Sequence, residues 1–170
     1  MPLSDQCLNR LRYQVVPRTL IFVTRGERVL LIKGAPSKRL WANRYNGIGG
    51  HIERSEDVLS AARRELAEET GLQVPVLWLC GVLLVDGDDR TGIGIFVLRG
   101  EAASADLQPS AEGSLEWVHR DRLGDLPLVE DLPVLLAKVL AMQPGEPPFA
   151  AHSSYSEAGK LVVRFAGEGQ

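Results

Sequence analysis

The chain alternates between short apolar runs and polar breaks, and the period of each run predicts an element. Thr19-Leu-Ile-Phe-Val-Thr24 and Arg28-Val-Leu-Leu-Ile-Lys33 are apolar and β-branched, and Arg25-Gly26-Glu27 lies between them. That pattern predicts two strands joined by a hairpin turn. A polar loop with scattered aromatics follows from Gly34 to Asn46, and Gly47-Ile48-Gly49-Gly50-His51 permits a close backbone approach. From Asp57 to Thr70 the period changes. Val58, Ala62 and Leu66 recur every fourth residue, behind an N-cap Asp57 and ahead of a C-cap Gly71, so a helix is predicted. Pro75 to Val85 and Gly92 to Leu98 read as strands around a hairpin loop at Asp86–Arg90, and Glu116–Val118 as a short strand. Asp131 to Met142 is amphipathic and predicts a second helix. After the breaker Gln143–Pro148, Phe149–Tyr155 and Lys160–Phe165 predict a last hairpin around Glu157-Ala158-Gly159. The elements add up to a mixed sheet with helices, an α/β (α+β) arrangement in one domain spanning 1–170.

Bulk properties narrow the partners. Hydrophobic residues make up 45% and charged residues 24%, as in ordinary globular proteins. The formal net charge of −3 argues against duplex nucleic acid or an anionic membrane as partner. The first ten residues carry no signal-peptide pattern, and no apolar run is long enough to span a bilayer. Two cysteines, Cys7 and Cys80, make no disulfide framework, so a cytoplasmic location is the expectation, with a monomer and a homodimer both open.

The predicted helix carries the chemistry. Glu65, Glu68 and Glu69 stand at i, i+3 and i+4, on one side of a helix. Like charges at that spacing oppose the helix by a few tenths of a kcal/mol per pair, roughly, and a cation turns the repulsion into attraction. Hard carboxylate oxygens favour Mg²⁺, with Mn²⁺ as a substitute. A glutamate triplet alone is more often a solvated acidic face. Here it sits in a longer frame. Gly50, Glu56, Arg64, Glu65, Leu66, Glu68, Glu69, Gly71 and Leu72 match G-x5-E-x7-R-E-U-x-E-E-x-G-U, with U aliphatic. At average residue usage, a chance match at one start position is on the order of one in a billion.

This frame, residues 50–72, is similar to the box of the Nudix hydrolases. The resemblance implies the Nudix fold: a mixed β-sheet sandwiched between α-helices, with a loop–helix–loop catalytic motif. It implies hydrolysis of a phosphate–phosphate bond with Mg²⁺. By resemblance Glu65, Glu68 and Glu69 bind metal and activate water, Gly49 offers a carbonyl to the metal, and Glu56 and Arg64 brace the loop against the helix. Glu112, in Ala111-Glu112-Gly113, matches an extra metal-binding carboxylate of MutT-type members, or else is an exposed loop glutamate.

Beyond the box, Tyr45-Asn46-Gly47-Ile48-Gly49-Gly50 and the C-terminal hairpin, about 149–165, resemble oxidised-purine nucleoside triphosphatases. That resemblance implies a base site built from Thr19, Asn46, Glu130 and Asp131. Leu40 and Leu128 occupy the places where those relatives carry aromatic residues. The implied activity is cleavage of a modified purine nucleoside triphosphate, such as 8-oxo-dGTP, to monophosphate and pyrophosphate. Two alternatives stand beside it: a pyrophosphatase for ADP-ribose or dinucleoside polyphosphates, and a non-catalytic nucleotide-sensing module. Degenerate members of the second kind usually lose box glutamates, and this chain keeps them.

Overall fold

The computed structural model describes residues 12–167, so Cys7 lies outside the described residues. The first strands form where the apolar runs are: β1 is Gln14–Arg25 and β2 is Arg28–Gly34. Gly26, at φ 56°, supplies the left-handed turn residue between them. The hairpin is short. Only Thr24↔Val29 and Arg25↔Arg28 pair before the strands diverge. On its other edge β1 runs parallel to β5 (Thr91–Glu101), from Gln14↔Thr91 to Thr24↔Glu101. This long pairing extends β1 five residues ahead of Thr19, where the apolar run begins.

The split between β1 and β2 is filled by the glycine-rich approach. β3 (Tyr45–Asn46) pairs with β2 through Ile32↔Asn46. Residues 48–52 then run antiparallel along β1, with Ile21 N–H donating to Ile48 O at 2.7 Å and Thr19 N–H to Gly50 O at 2.9 Å. The glycines are thereby stitched to the centre of the sheet.

The helix α1, Val58–Thr70, follows. The Asp57 carboxylate caps it by accepting from Leu59 N–H and Ser60 N–H, an arrangement that typically contributes about 1 kcal/mol. Ser60 Oγ–H also donates to Asp57, and with the backbone bonds this holds the Asp57 carboxyl below its ordinary range. Gly71, at φ 72°, ends the helix. The buried stripe is Ala61, Ala62, Leu66 and Thr70, one position wider than the four-residue spacing alone indicates, with Val58 packed at its rim.

β4 is Leu77–Asp86, β6 is Gly113–His119 and α2 is Leu132–Ala141, preceded by a 3-10 turn at Arg120–Asp125. β4 starts two residues later than its apolar run. Pro75 has no N–H for a ladder, and Val76 is exposed. The last hairpin is β7 (Phe149–Tyr155) with β8 (Leu161–Phe165), turning at Gly159. Among the described residues eight strands join one mixed sheet, in the order β3-β2-β1-β5-β4-β7-β8, with β6 on the far edge of β2.

Strand alternation then divides the core in two. Leu20, Phe22, Val29 and Leu31 point to one side, where Leu132, Leu135, Leu136 and Val139 of α2 cover them. Ile21, Val23, Leu30 and Ile32 point to the other, where Ala62 and Leu66 of α1 cover them. The sheet lies between two helices, as the Nudix resemblance implied. Cys80 is a buried free thiol, and burial pushes it up to about 12. Among the described residues no helix is long and apolar enough to cross a membrane.

Candidate active site

The split in the sheet opens into a cleft of about 490 Å³. Gly49, Gly50, Glu65, Glu69 and Glu112 line it with Lys38; Thr19, Asn46, Leu40, Val129 and Asp131 contribute to the same wall.

The glutamate helix is anchored to the loop by Arg64. Its guanidinium grips Glu56 with two bonds, Nε to Oε1 at 2.7 Å and Nη2 to Oε2 at 2.9 Å. It also donates to Glu65 at 2.8 Å, to Glu68 at 3.2 Å and to the His51 carbonyl at 3.0 Å. The Arg64 bonds, followed by the Glu53 N–H, pull the Glu56 carboxyl down to about 2. Bonding to Glu56 and then Glu65 raises the Arg64 proton affinity further. One side chain thus ties the box loop, the helix and a cleft carboxylate together.

Glu65 and Glu69, a turn apart, line the cleft. The Glu65 carboxylate is stacked over Gly50, where a Cβ would lie 2.4 Å from Oε1. At Gly49, with φ 148°, a Cβ would meet the Thr19 carbonyl oxygen at 2.2 Å. Only glycine lets this backbone pass between β1 and α1. Glu69 is pushed up to about 7, chiefly by burial and then by the charges of Glu65 and Glu112; the Gly49 N–H and Lys38 oppose the rise. Glu112 is therefore no isolated loop acid. It pairs with Lys38, its backbone carbonyl accepts from Ala35 N–H at 3.2 Å, and its charge is felt at Glu69.

Three expected residues stand elsewhere. Glu68 is turned to solvent and bonded to Arg64, because the i+3 position rotates it past the cleft edge. Leu128 is in the core, bridged to Tyr45, and its neighbour Val129 lines the cleft instead. Glu130 is exposed and outside the cleft, whereas Asp131 lines it, with its carboxyl raised by burial and then by Glu130. Leu40 lines the cleft but is 65% exposed. Thr19 Oγ1 accepts from Gly50 N–H at 3.4 Å. Asn46 Oδ1 accepts from Gly47 N–H at 2.8 Å, leaving its NH₂ to donate. Arg18, Lys38, Trp41, Arg44 and Ile95 also line the cleft. The apolar pattern carries no sign of them, since loop direction and strand pairing bring them in.

Among the described residues, no three acidic, His or Cys side chains already form a metal cage. Glu65 is drawn toward Arg64 and Glu112 toward Lys38. The donor set nonetheless fits a hard divalent cation. Glu65 and Glu112 add their charges to the burial that raises the Glu69 carboxyl, and a bound cation would offset both.

A split mixed sheet between two helices, with a carboxylate-lined cleft on a loop–helix–loop, defines the class: a hydrolase site for a phosphorylated substrate. The NUDIX domain matches residues 15–139, and the chain belongs to that family of hydrolases, which cleave phosphoric anhydride bonds and generally use a divalent metal. The chain is 31% identical to an oxidized purine nucleoside triphosphate hydrolase of Danio rerio over 106 residues, 62% of this chain and 67% of that protein. It is 28% identical to the NAD-capped RNA hydrolase NudC of Pseudomonas syringae pv. syringae over 81% of this chain, but spans only 49% of that relative. The fold is similar to that of the MutT protein from Bacillus halodurans, with a TM-score of 0.76 and 22% identity, covering 91% of this chain and all of the other.

Proposed function

We propose that the chain hydrolyses a purine nucleoside triphosphate to the monophosphate and pyrophosphate, with Mg²⁺, and prefers oxidised purines such as 8-oxo-dGTP. The observation that carries this reading is the single cleft holding both the carboxylate set and the polar wall of Asn46 and Asp131. The relative from Danio rerio supports the substrate class.

Glu65, Glu69, Glu112 and the Gly49 carbonyl would hold the cation. When bound, Mg²⁺ neutralises phosphate charge and makes a bound water more acidic. The chain's own groups do the rest. Arg64 fixes Glu65 against the loop, so the carboxylates keep one geometry. A glutamate of this set within reach of the bound water would take its proton. Lys38, Arg18 and Arg44 line the cleft and supply positive charge for phosphate oxygens. Asn46 donates to a base acceptor, and Asp131 accepts from, or when protonated donates to, the base edge. A site that hydrogen-bonds one edge rejects analogues lacking it by several orders of magnitude. Glu68, bonded to Arg64 at the cleft edge, stays in the proposed metal set as its outermost member.

The test is a product-resolved assay with dGTP, 8-oxo-dGTP, ADP-ribose, NAD and dinucleoside polyphosphates. The expected result is Mg²⁺-dependent release of pyrophosphate, fastest from 8-oxo-dGTP and abolished by EDTA. Efficient turnover of ADP-ribose with no attack on any purine triphosphate overturns the reading.

A further inference from the structure

Two carboxylates of the cleft are each held by a cation of this chain: Glu65 by Arg64 at 2.8 Å, and Glu112 by Lys38. The two cations are not equally committed. Arg64 also grips Glu56 and donates to the His51 carbonyl, so it cannot leave Glu65 without loosening the box loop. Among the described residues Lys38 Nζ has no other carboxylate partner, and its side chain is 39% exposed. A lysine ammonium is a compact charge on a flexible aliphatic stem, and an ion pair this open to water is weak. Both Lys38 and Glu112 line the cleft with Glu65 and Glu69. The charge of Glu112 raises the Glu69 carboxyl, and that of Lys38 opposes the rise. Lys38 thus supplies to these carboxylates part of the positive charge that a divalent cation would bring.

The loops that carry the pair meet without its help. Gly34 stands opposite Gly113 in the ladder of β2 with β6, and a Cβ at Gly113 would lie 2.0 Å from the Lys33 carbonyl oxygen. Beyond that contact, Ala35 N–H donates to the Glu112 carbonyl at 3.2 Å, and Lys38 N–H to the Ala35 carbonyl at 3.0 Å. The Lys38 stem folds back over Gly34, with its Cδ 3.7 Å from where a Cβ would stand. Backbone bonds hold the roots of both loops, so the bond between the Lys38 and Glu112 side chains can open while the loops stay in place.

We infer that Lys38 and Glu112 form an exchangeable pair: Glu112 releases Lys38 when it turns to the cation, and the freed ammonium turns to the phosphates of the substrate. The inference rests on the metal-dependent nucleotide reading above. A divalent cation draws on several carboxylates and on substrate phosphates at once, so it outcompetes a single ammonium for Glu112. Lys38 is a positioning residue for Glu112 before the exchange and a point charge for phosphate after it. Metal and polyphosphate then strengthen each other's binding through one side chain, and by linkage the gain is the same in either order. Arg64, tied to Glu56 and the His51 carbonyl, keeps its place throughout.

The experiment compares the full chain with Lys38→Met, Lys38→Arg, Glu112→Gln and the double variant Lys38→Met/Glu112→Gln. Mn²⁺ binding without nucleotide, read from loss of the free-ion EPR signal, should be roughly three- to five-fold tighter in Lys38→Met, because Glu112 no longer has a competing partner. In the Glu112→Gln background the same change should alter it by less than about two-fold. With Mg²⁺ in excess, the Kd of a non-hydrolysable dGTP analogue, measured by calorimetry, should rise roughly ten-fold in Lys38→Met, and Lys38→Arg should recover most of the loss. Acetylation of Lys38 by an N-hydroxysuccinimide ester, read by peptide mass spectrometry, should quicken when Mg²⁺ replaces EDTA and slow again when the analogue is added. In Glu112→Gln it should be fast from the start. An equal gain in Mn²⁺ affinity with and without Glu112, or acetylation of Lys38 indifferent to Mg²⁺, overturns the exchange and leaves the proposed function standing. Failure of the dGTP analogue to bind at all with Mg²⁺ overturns both.

Discussion

Glu69→Gln separates the cost of the carboxylate cluster from its use. The substitution keeps shape and an acceptor for the Gly49 N–H, and removes the charge that burial, Glu65 and Glu112 oppose. A rise from the ordinary 4.5 to about 7 corresponds to at most about 3 kcal/mol. Solvent reaches part of this group, and screening reduces the figure to roughly 1–2 kcal/mol. The sign follows from proton linkage. The folded chain holds the Glu69 proton more tightly than the unfolded chain, so this contribution is full below pH 4.5. It fades as pH rises and is gone above about 7. Metal-stripped wild type should thus lose stability between pH 5 and 8, and Glu69→Gln should lose less. At pH 8 in EDTA the variant should melt roughly 2–8 °C above wild type. With excess Mg²⁺ the order should reverse: wild type gains by metal binding, while the variant gains little and hydrolyses little. Thermal melts at the two pH values, with EDTA and with Mg²⁺, read all of these. A variant no more stable than wild type in EDTA at pH 8 would refute the reasoning, because burial and the neighbouring carboxylates would then not oppose the Glu69 charge.

Gly50→Ala should leave Tm near wild type but lower kcat/KM by roughly 100-fold, because the new methyl displaces the flexible end of Glu65 from its seat 2.4 Å away; a steady-state assay checks it. Arg64→Ala should cost roughly 10–100-fold in activity or metal affinity, measured by turnover against Mg²⁺ concentration, since it frees Glu56, Glu65 and the box loop together. The Glu56 carboxyl is held down to about 2, so its share of stability is present above about pH 4.5 and is lost as pH falls toward 2. Acid melts of wild type should therefore fall more steeply over that window than those of Arg64→Ala. Leu66→Ala removes a fully buried contact between α1 and the sheet and should destabilise by about 2–5 kcal/mol in urea unfolding.

What the sequence by itself determined is local or covalently spaced. The box from Gly50 to Leu72 puts its glutamates on one helix, because a 3.6-residue period needs no distant partner. Asp57 and Gly71 bound that helix through their own backbone geometry, and the turns at Gly26 and Gly159 are equally local. The tertiary structure decided what depends on distant pairing. The parallel ladder of β1 with β5 lengthens β1 and splits it from β2, which makes the cleft. Within the triplet, packing against Gly50 turns Glu65 into the cleft, and rotation by three residues leaves Glu68 outside. Glu112 reaches Glu69 only because β6 pairs with β2 and brings its loop across. Leu128 goes inward because Tyr45 bridges it, a contact between residues far apart in the chain. Trp41 adopts a left-handed backbone because hydrogen bonds of Gly34, Asn43 and Arg44 close the loop around it. Periodicity records which side of an element is apolar; it carries no record of which elements meet.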